Sequence, residues 1–189
     1  MKIRKLSWGE PGFEEELVSQ GLIMIPEFIG EEEEESILSN IPPTPIRKVK
    51  FRNSTARYGS ALAYQDNLKS KIIPPYLDQL GERLFAGGLL PEKPNSISIN
   101  EYLKGNGIGP HIDNDESGPI ISILSILSDA DMRLFSDSAL YIVKLPRRSL
   151  IQLTGPVRWK WRHSIPEVTT KRYSIVFRHG TQTIGSKKY

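Results

Sequence analysis

From Asn95 onward the chain breaks into short apolar segments separated by turn residues: "SISINEYL", "GPIISILSIL", "ADMRLFS", "ALYIVKLP", "SLIQLTG" and "KRYSIVFRH". The breaks are "KGNGIGP", "SDA", "PRR" and "TGP". Strand-length segments at close spacing, with no helical period between them, predict a β-sandwich or jelly roll. The first half reads differently. Residues 17–29, "LVSQGLIMIPEFI", form an apolar strand broken by Pro26, and the acids Glu31 to Glu35 mark a helix start through the macrodipole. Residues 72–91 predict a helix that opens at Pro74-Pro75 and closes at Gly87-Gly88. The fold class is therefore α+β, mainly β, with N-terminal helices. A single domain over 1–189 is expected, divided into an N-terminal extension (1–94), a β core (95–180) and a frayed tail (181–189).

Composition narrows the chemistry. Hydrophobic residues at 38% and charged residues at 25% are ordinary for a globular domain of 189 residues. With no cysteine, disulfides, thiolate metal sites and a thiol nucleophile are excluded, so any metal is held by His, Asp or Glu. No apolar run approaches the roughly 20 residues of a membrane helix, and the N-terminus carries no apolar signal core. The expectation is an intracellular protein, cytoplasmic or nuclear, and a monomer. The net charge of +3 suits a polyanionic partner only weakly.

Three histidines limit the choice of site. In "GPHIDNDESG", His111 and Asp113 are two apart, so an extended backbone projects both to one side. Alone, the pair also fits a capped polar turn. His163, in "RWKWRHSIPE", supplies a third donor. Two histidines and one carboxylate form the facial triad of non-haem Fe(II) oxygenases. Arg172 and Arg178 in "RYSIVFR" share a strand face with Ser174 and Val176, while Tyr173, Ile175 and Phe177 take the other. Turned inward, two arginines need an anion, and a dicarboxylate co-substrate is one; on an edge strand both would be solvated.

Taken together, "NEY" (100–102), "GIGPHID" (107–113), "SLIQLTGPVRWKWRHSI" (149–165) and "RYSIVFR" resemble the AlkB-like Fe(II)/2-oxoglutarate dioxygenases over roughly residues 50–180. The resemblance implies a double-stranded β-helix with a nucleotide-recognition lid before the core, and Fe(II), 2-oxoglutarate and O₂ as cofactors. It makes His111, Asp113 and His163 the iron ligands and catalytic centre. Asn100 and Tyr102 match the element that hydrogen-bonds 2-oxoglutarate. Arg172 matches the arginine of its distal carboxylate, and Arg178 the one near the metal. One departure is Ser174, where the repair enzymes commonly carry Asn; a hydroxyl keeps a donor there with shorter reach.

The implied activity is oxidative demethylation of N-alkylated bases in DNA or RNA, single-stranded or with a flipped base, releasing formaldehyde, succinate and CO₂. Asp115 and Glu116 correspond to the acids that follow the metal aspartate in the base-repairing members, and a carboxylate suits an exocyclic amine. They fit solvated turn residues as well. Arg47, Lys48, Lys50, Arg52 and Arg57, interleaved with Phe51, Tyr58 and Tyr64, offer cations for phosphate and rings for stacking, as a bland basic loop would. Arg52, Arg57, Tyr58 and Tyr64 join Asp115 and Glu116 as the candidate substrate contacts. Trp159 and Trp161 read as core packing. The alternatives are a tRNA-modifying hydroxylase, a branch that "YIVKLPRRSLIQLTG" resembles equally but that carries further RNA-binding and methyltransferase domains, a protein-directed AlkB-like dioxygenase, and a non-catalytic jelly-roll binding module.

Overall fold

The computed structural model describes residues 4–7, 9–43, 53–59 and 72–180. Its elements in chain order are β1 (Arg4–Ser7), α1 (Phe13–Ser19), β2 (Leu22–Ile25), α2 (Glu31–Asn40), β3 (Ser54–Gly59), α3 (Pro75–Ala86), β4 (Ser96–Tyr102) and β5 (Ile108–His111). They continue with a 3-10 turn (Asp115–Ser117), β6 (Ile121–Ile126), β7 (Ala130–Phe135), β8 (Ala139–Leu145), β9 (Leu150–Leu153), α4 (Gly155–Trp159), β10 (Arg162–Ile165) and β11 (Arg172–Arg178).

The strands form a five-stranded sheet in the order β1-β8-β7-β10-β5 and a six-stranded sheet in the order β2-β9-β6-β11-β4-β3. All pairings are antiparallel except that of β1 with β8. The expected jelly roll is what the chain forms. One core lies between the sheets and includes Met132, Leu134, Tyr141, Val143, Ile121, Ile123, Ile151 and Val176. A second lies between the six-stranded sheet and α2 and α3, with Ile37, Leu77, Leu80 and Leu84 packed on Ile97, Ile99, Leu124, Ile175 and Phe177. The larger sheet is thus buried on both faces. That is why β6, "ISILSI", is buried at every position instead of alternating with solvent.

Local chemistry accounts for most elements. Four glutamates occupy the first turn of α2, and Pro75 opens α3, whose chain turns at Gly87, both as expected. Residues 17–29 correct the expectation of one apolar strand. Leu17 belongs to α1, because Phe13 and Leu17 at i and i+4 both bury against the inter-sheet core, and only 22–25 are extended. Gly21 makes the change of direction at φ 99°, where a Cβ would lie 2.3 Å from the Thr154 carbonyl oxygen. β5 and β10 are strands that sequence pattern did not mark: "KGNGIGP", expected as a turn, supplies Ile108 to Pro110 of β5. The lid expected within 1–94 falls largely on residues 44–52 and 60–71, outside the described residues, as do Arg47, Lys48, Lys50, Phe51, Arg52 and Tyr64 and the tail from 181. Among the described residues no helix is long and apolar enough to cross a membrane.

Candidate active site

The first link is a strand pairing. β5 and β10 lie side by side with His111 directly opposite His163. Their ring centroids are 4.3 Å apart, as expected for facing residues of an antiparallel pair. Asp113, two residues beyond His111, brings its Oδ2 to 3.7 Å from His163 Nε2. His111 Nδ1 is 2.9 Å from the Gly109 carbonyl oxygen. A ring nitrogen held to a main-chain carbonyl fixes orientation and leaves the other nitrogen for a ligand role. Among the described residues no three His, Asp or Glu side chains are already drawn together as a metal-holding cluster. Donors sharing one ion at bonds of roughly 2.1 Å stand about 3 Å apart at a right angle, so Asp113 and His163 need only a small approach.

Protonation favours the ligand forms. Burial is the largest influence on His163 and lowers its pKa to about 4, with the Asp113 carboxylate opposing that shift. Burial alone would raise Asp113, but Arg178, followed by the two imidazoles, holds its carboxyl down at about 2. At neutral pH the pair is a carboxylate beside a neutral imidazole, the states that bind a divalent cation. Arg178 grips this carboxylate through Nη2 to Oδ1 at 3.0 Å, and its Nη1 donates to Ser98 Oγ at 2.9 Å.

The remaining candidates meet on one face of β4 and β11. These strands pair with Arg172 opposite Tyr102, Ser174 opposite Asn100 and Val176 opposite Ser98. β11 runs between β6 and β4, so the edge-strand alternative with solvated arginines does not hold. Arg172 has no solvent exposure. Its Nη2 donates to Ser125 Oγ at 3.1 Å and its guanidinium lies 5.1 Å from the Tyr102 ring centroid. Its Nε and Nη1 are buried with no hydrogen-bond partner. Burial lowers the Arg172 pKa and raises that of Tyr102. An interior cation with two unsatisfied donors calls for an anion, and a carboxylate is such an acceptor. The donor set on β5 and β10 fits a divalent metal, so the residues present suit both groups. Asn100 Nδ2 donates to Ser174 Oγ at 3.3 Å, and Asn100 Oδ1 accepts from Thr55 Oγ1 at 2.8 Å and Asn53 Nδ2 at 3.1 Å.

Asp115 and Glu116 stand in the 3-10 turn beyond Asp113, Asp115 exposed and Glu116 half-buried. The Asn114 side chain caps that turn by accepting the Glu116 N–H at 2.8 Å. Arg57 lies on the strand face of β3 that also carries Thr55, opposite Ser98 of β4. Tyr58 does not join the site. It points to the other face of β3 and is buried in the helix-side core, because alternation along a strand sends neighbours to opposite faces. Trp161 is buried and stacks on Tyr141 at 4.9 Å, as core packing predicts, whereas Trp159 is 42% exposed.

Sequence reading missed four participants. Ser98 and Ser125 hold the two arginines, and Thr55 orients Asn100. Arg158, at 2% exposure, donates to three main-chain carbonyls of the turn after Asp113. Ser98 was within reach, since it shares the Asn100 and Tyr102 face at i−2. Nothing in "VRWKWRH" separates buried Arg158 from exposed Lys160 and Arg162.

Similarity to known proteins places the chain in a family. The profile of the 2OG-Fe(II) oxygenase superfamily matches residues 45–182. The chain is 31% identical over 190 residues to the mouse protein tRNA (carboxymethyluridine(34)-5-O)-methyltransferase ALKBH8, covering 92% of this chain and 28% of that one. It is 35% identical over 94 residues to the Arabidopsis thaliana RNA demethylase ALKBH9B, covering 45% and 18%. The chain thus spans under a third of the length of these curated relatives. In fold it is similar to OsALKBH1 (TM-score 0.65, 14% identity, 84% of this chain and 97% of that one) and to a 2OG-Fe(II) oxygenase family oxidoreductase from Burkholderia pseudomallei (TM-score 0.67, 16% identity, 96% and 98%). The chain belongs to the 2OG-Fe(II) oxygenase superfamily, in its AlkB-like branch, whose cofactor set is Fe(II), 2-oxoglutarate and O₂.

Proposed function

We propose that the protein oxidises a C–H bond on a substituent of a nucleobase, with N-demethylation of alkylated DNA or RNA as the outcome. The observation that carries this reading is Arg172, a fully buried guanidinium with two unsatisfied donors on the strand face leading to Asp113 through Arg178. His111, Asp113 and His163 would hold the iron. Arg172 would take the distal carboxylate of 2-oxoglutarate, assisted by Tyr102, with Asn100 and Ser174 beside it. Arg178 would keep the free oxygen of Asp113 turned and charged.

When bound, iron, 2-oxoglutarate and O₂ together supply a two-electron oxidant that places one oxygen atom in the substrate and the other in succinate, with loss of CO₂. The residues of this chain bind, orient and exclude water. On an N-methyl group the product is a hemiaminal, whose C–N bond breaks to give formaldehyde and the unmethylated amine. Asp115 and Glu116 would accept hydrogen bonds from the base, and Arg57, with Arg52 and Tyr64 outside the described residues, would meet the phosphates and neighbouring bases. The similarity to the RNA demethylase ALKBH9B supports this reaction class.

A second reading is favoured by the similarity to the tRNA-modifying ALKBH8. Here the same oxygen insertion stops at a stable hydroxylated wobble nucleoside. Incubating methylated DNA and RNA oligomers and tRNA with Fe(II) and 2-oxoglutarate, then analysing nucleosides by mass spectrometry, separates the two. Loss of a methyl group with formaldehyde release supports demethylation, and gain of one oxygen supports hydroxylation. Both signals should vanish in His111→Ala. Succinate formation with no change in any nucleic acid would remove nucleic acid as the substrate.

A further inference from the structure

Arg158 is a buried guanidinium without a carboxylate partner among its hydrogen bonds. Its Nη1 donates to the Asp113 carbonyl at 3.0 Å, its Nη2 to the Asn114 carbonyl at 2.6 Å and its Nε to the Gly118 carbonyl at 2.9 Å. The first two acceptors begin the turn that carries Asp115 and Glu116, and the third ends it. One side chain therefore ties both ends of the turn to one point. The planar fork suits this task because its donors are fixed relative to one another. Burying such a charge is unfavourable unless its donors are satisfied, so the arrangement is held by a specific geometry and not by a loose attraction.

Three further observations make this a built device. Gly118 has φ 83°, and a Cβ there would lie 2.1 Å from the His179 carbonyl oxygen, so the end of the turn is wedged against the chain just beyond β11. The face of the Arg158 guanidinium is covered by the Trp159 ring at 4.2 Å. Helix α4, which carries Arg158, is itself anchored by the Val157 N–H donating to the Gln20 carbonyl at 3.0 Å, and it leads directly into β10 and His163. The two arginines near Asp113 thus divide the work: Arg178 holds its side chain, and Arg158 holds the main chain after it.

We propose that Arg158 is a positioning residue that straps the 113–118 turn to α4 and thereby sets where Asp115 and Glu116 meet the base. The second half rests on the reading of those acids as base contacts. Because Arg178 still holds the Asp113 carboxylate, loss of Arg158 loosens the turn without dismantling the metal centre.

The test uses the full chain with Arg158→Met, Arg158→Ala, Arg158→Lys, Arg178→Met and Asp115→Asn. In Arg158→Met, hydrogen exchange at the Glu116, Ser117 and Gly118 amides rises by about tenfold or more, while β6 and β11 keep their protection. Mn(II) binding with 2-oxoglutarate present, read by electron paramagnetic resonance, changes less than about threefold, against the 10- to 100-fold or so expected for Arg178→Met. On the panel of N-methylated DNA and RNA oligomers, KM rises and the ratio of oxidised base to succinate falls by about tenfold. In Arg158→Ala, which empties the space of the guanidinium, added methylguanidinium restores protection and coupling, and it leaves Asp115→Asn unchanged; Arg158→Lys is intermediate.

Unchanged exchange in the turn of folded Arg158→Met overturns the proposal. So does a general loss of protection with loss of Mn(II) binding and no rescue, since that is ordinary destabilisation. A loosened turn with normal KM, while Asp115→Asn raises KM, refutes the link to the base. A loosened, rescuable turn with normal KM in both variants supports the strap and retires the acids as base contacts, so the two readings fail separately.

Discussion

Replacing Arg172 by Met tests whether the buried cation is there for an anion. In the ligand-free protein the guanidinium makes one side-chain hydrogen bond, to Ser125, and lies over the Tyr102 ring, while Nε and Nη1 have no partner. Losing the charged hydrogen bond costs roughly 1.5–3 kcal/mol and the buried cation–π contact about 2 kcal/mol. Removing two unsatisfied donors returns roughly 1–3 kcal/mol each, and removing the desolvated charge returns more. Methionine fills similar space without charge. The ligand-free variant should therefore stay within about 2 kcal/mol of the parent, unlike the 3–5 kcal/mol or so lost when a paired interior ion is broken. The ligand response should differ sharply. At 2-oxoglutarate a hundred times its Kd the parent gains about 2.7 kcal/mol. Truncating one partner of a buried charge pair costs roughly 2–5 kcal/mol of binding, so a hundredfold weaker variant gains only about 0.4 kcal/mol at that concentration. In a domain of this size those figures correspond to a Tm increment of roughly 5–11 °C for the parent and about 1–2 °C for the variant. Thermal melts with Mn(II) present, with and without 2-oxoglutarate, read both quantities. A ligand-free variant that loses more than about 3 kcal/mol yet keeps the parent's increment would refute the reasoning.

Three further outcomes are expected. Without metal, His163 stays neutral in the fold down to about pH 4 while the unfolded chain takes its proton near 6.5. Its contribution is therefore complete above pH 6.5 and is lost on acidification through that window, by roughly 3 kcal/mol, followed by Asp113 between about 3.8 and 2; urea midpoints in chelator should show the first loss, and His163→Asn should flatten it. Glu34 is buried, accepts the Leu127 N–H at 2.8 Å where Leu127 has φ 78°, and pairs with Arg147, so Glu34→Ala should lower stability by about 2–4 kcal/mol without altering 2-oxoglutarate affinity. Tyr58→Phe should leave stability within about 1 kcal/mol and oligonucleotide KM unchanged, while Tyr58→Ala costs roughly 3–5 kcal/mol by emptying the helix-side core; a higher KM for Tyr58→Phe would return Tyr58 to the site.

What could be read from sequence follows from how local each feature is. The face shared by Asn100 and Tyr102, and that shared by Arg172, Ser174 and Arg178, are consequences of a two-residue period, and the ladder β4–β11 brings the two faces together. The helix starts at Glu31 and Pro75 are equally local. The division at 17–29 was not, because an apolar run of that length fits a strand or a helix face, and only packing against the inter-sheet core decides for α1. β5 and β10 were hidden because a four-residue strand with glycine and proline has no period to detect, and its identity comes from its partner.

Arg158 marks the point where reading from sequence stops. Three cations, Arg158, Lys160 and Arg162, fall within five residues before His163, and propensity treats them alike. Their fates diverge because α4 is one short turn pinned at Val157 to Gln20, which turns position 158 inward and leaves 160 and 162 to solvent. The inward direction has meaning only because the carbonyls of 113, 114 and 118 are there to receive it. The residue is thus specified by two segments distant in sequence, each of which looks unremarkable without the other.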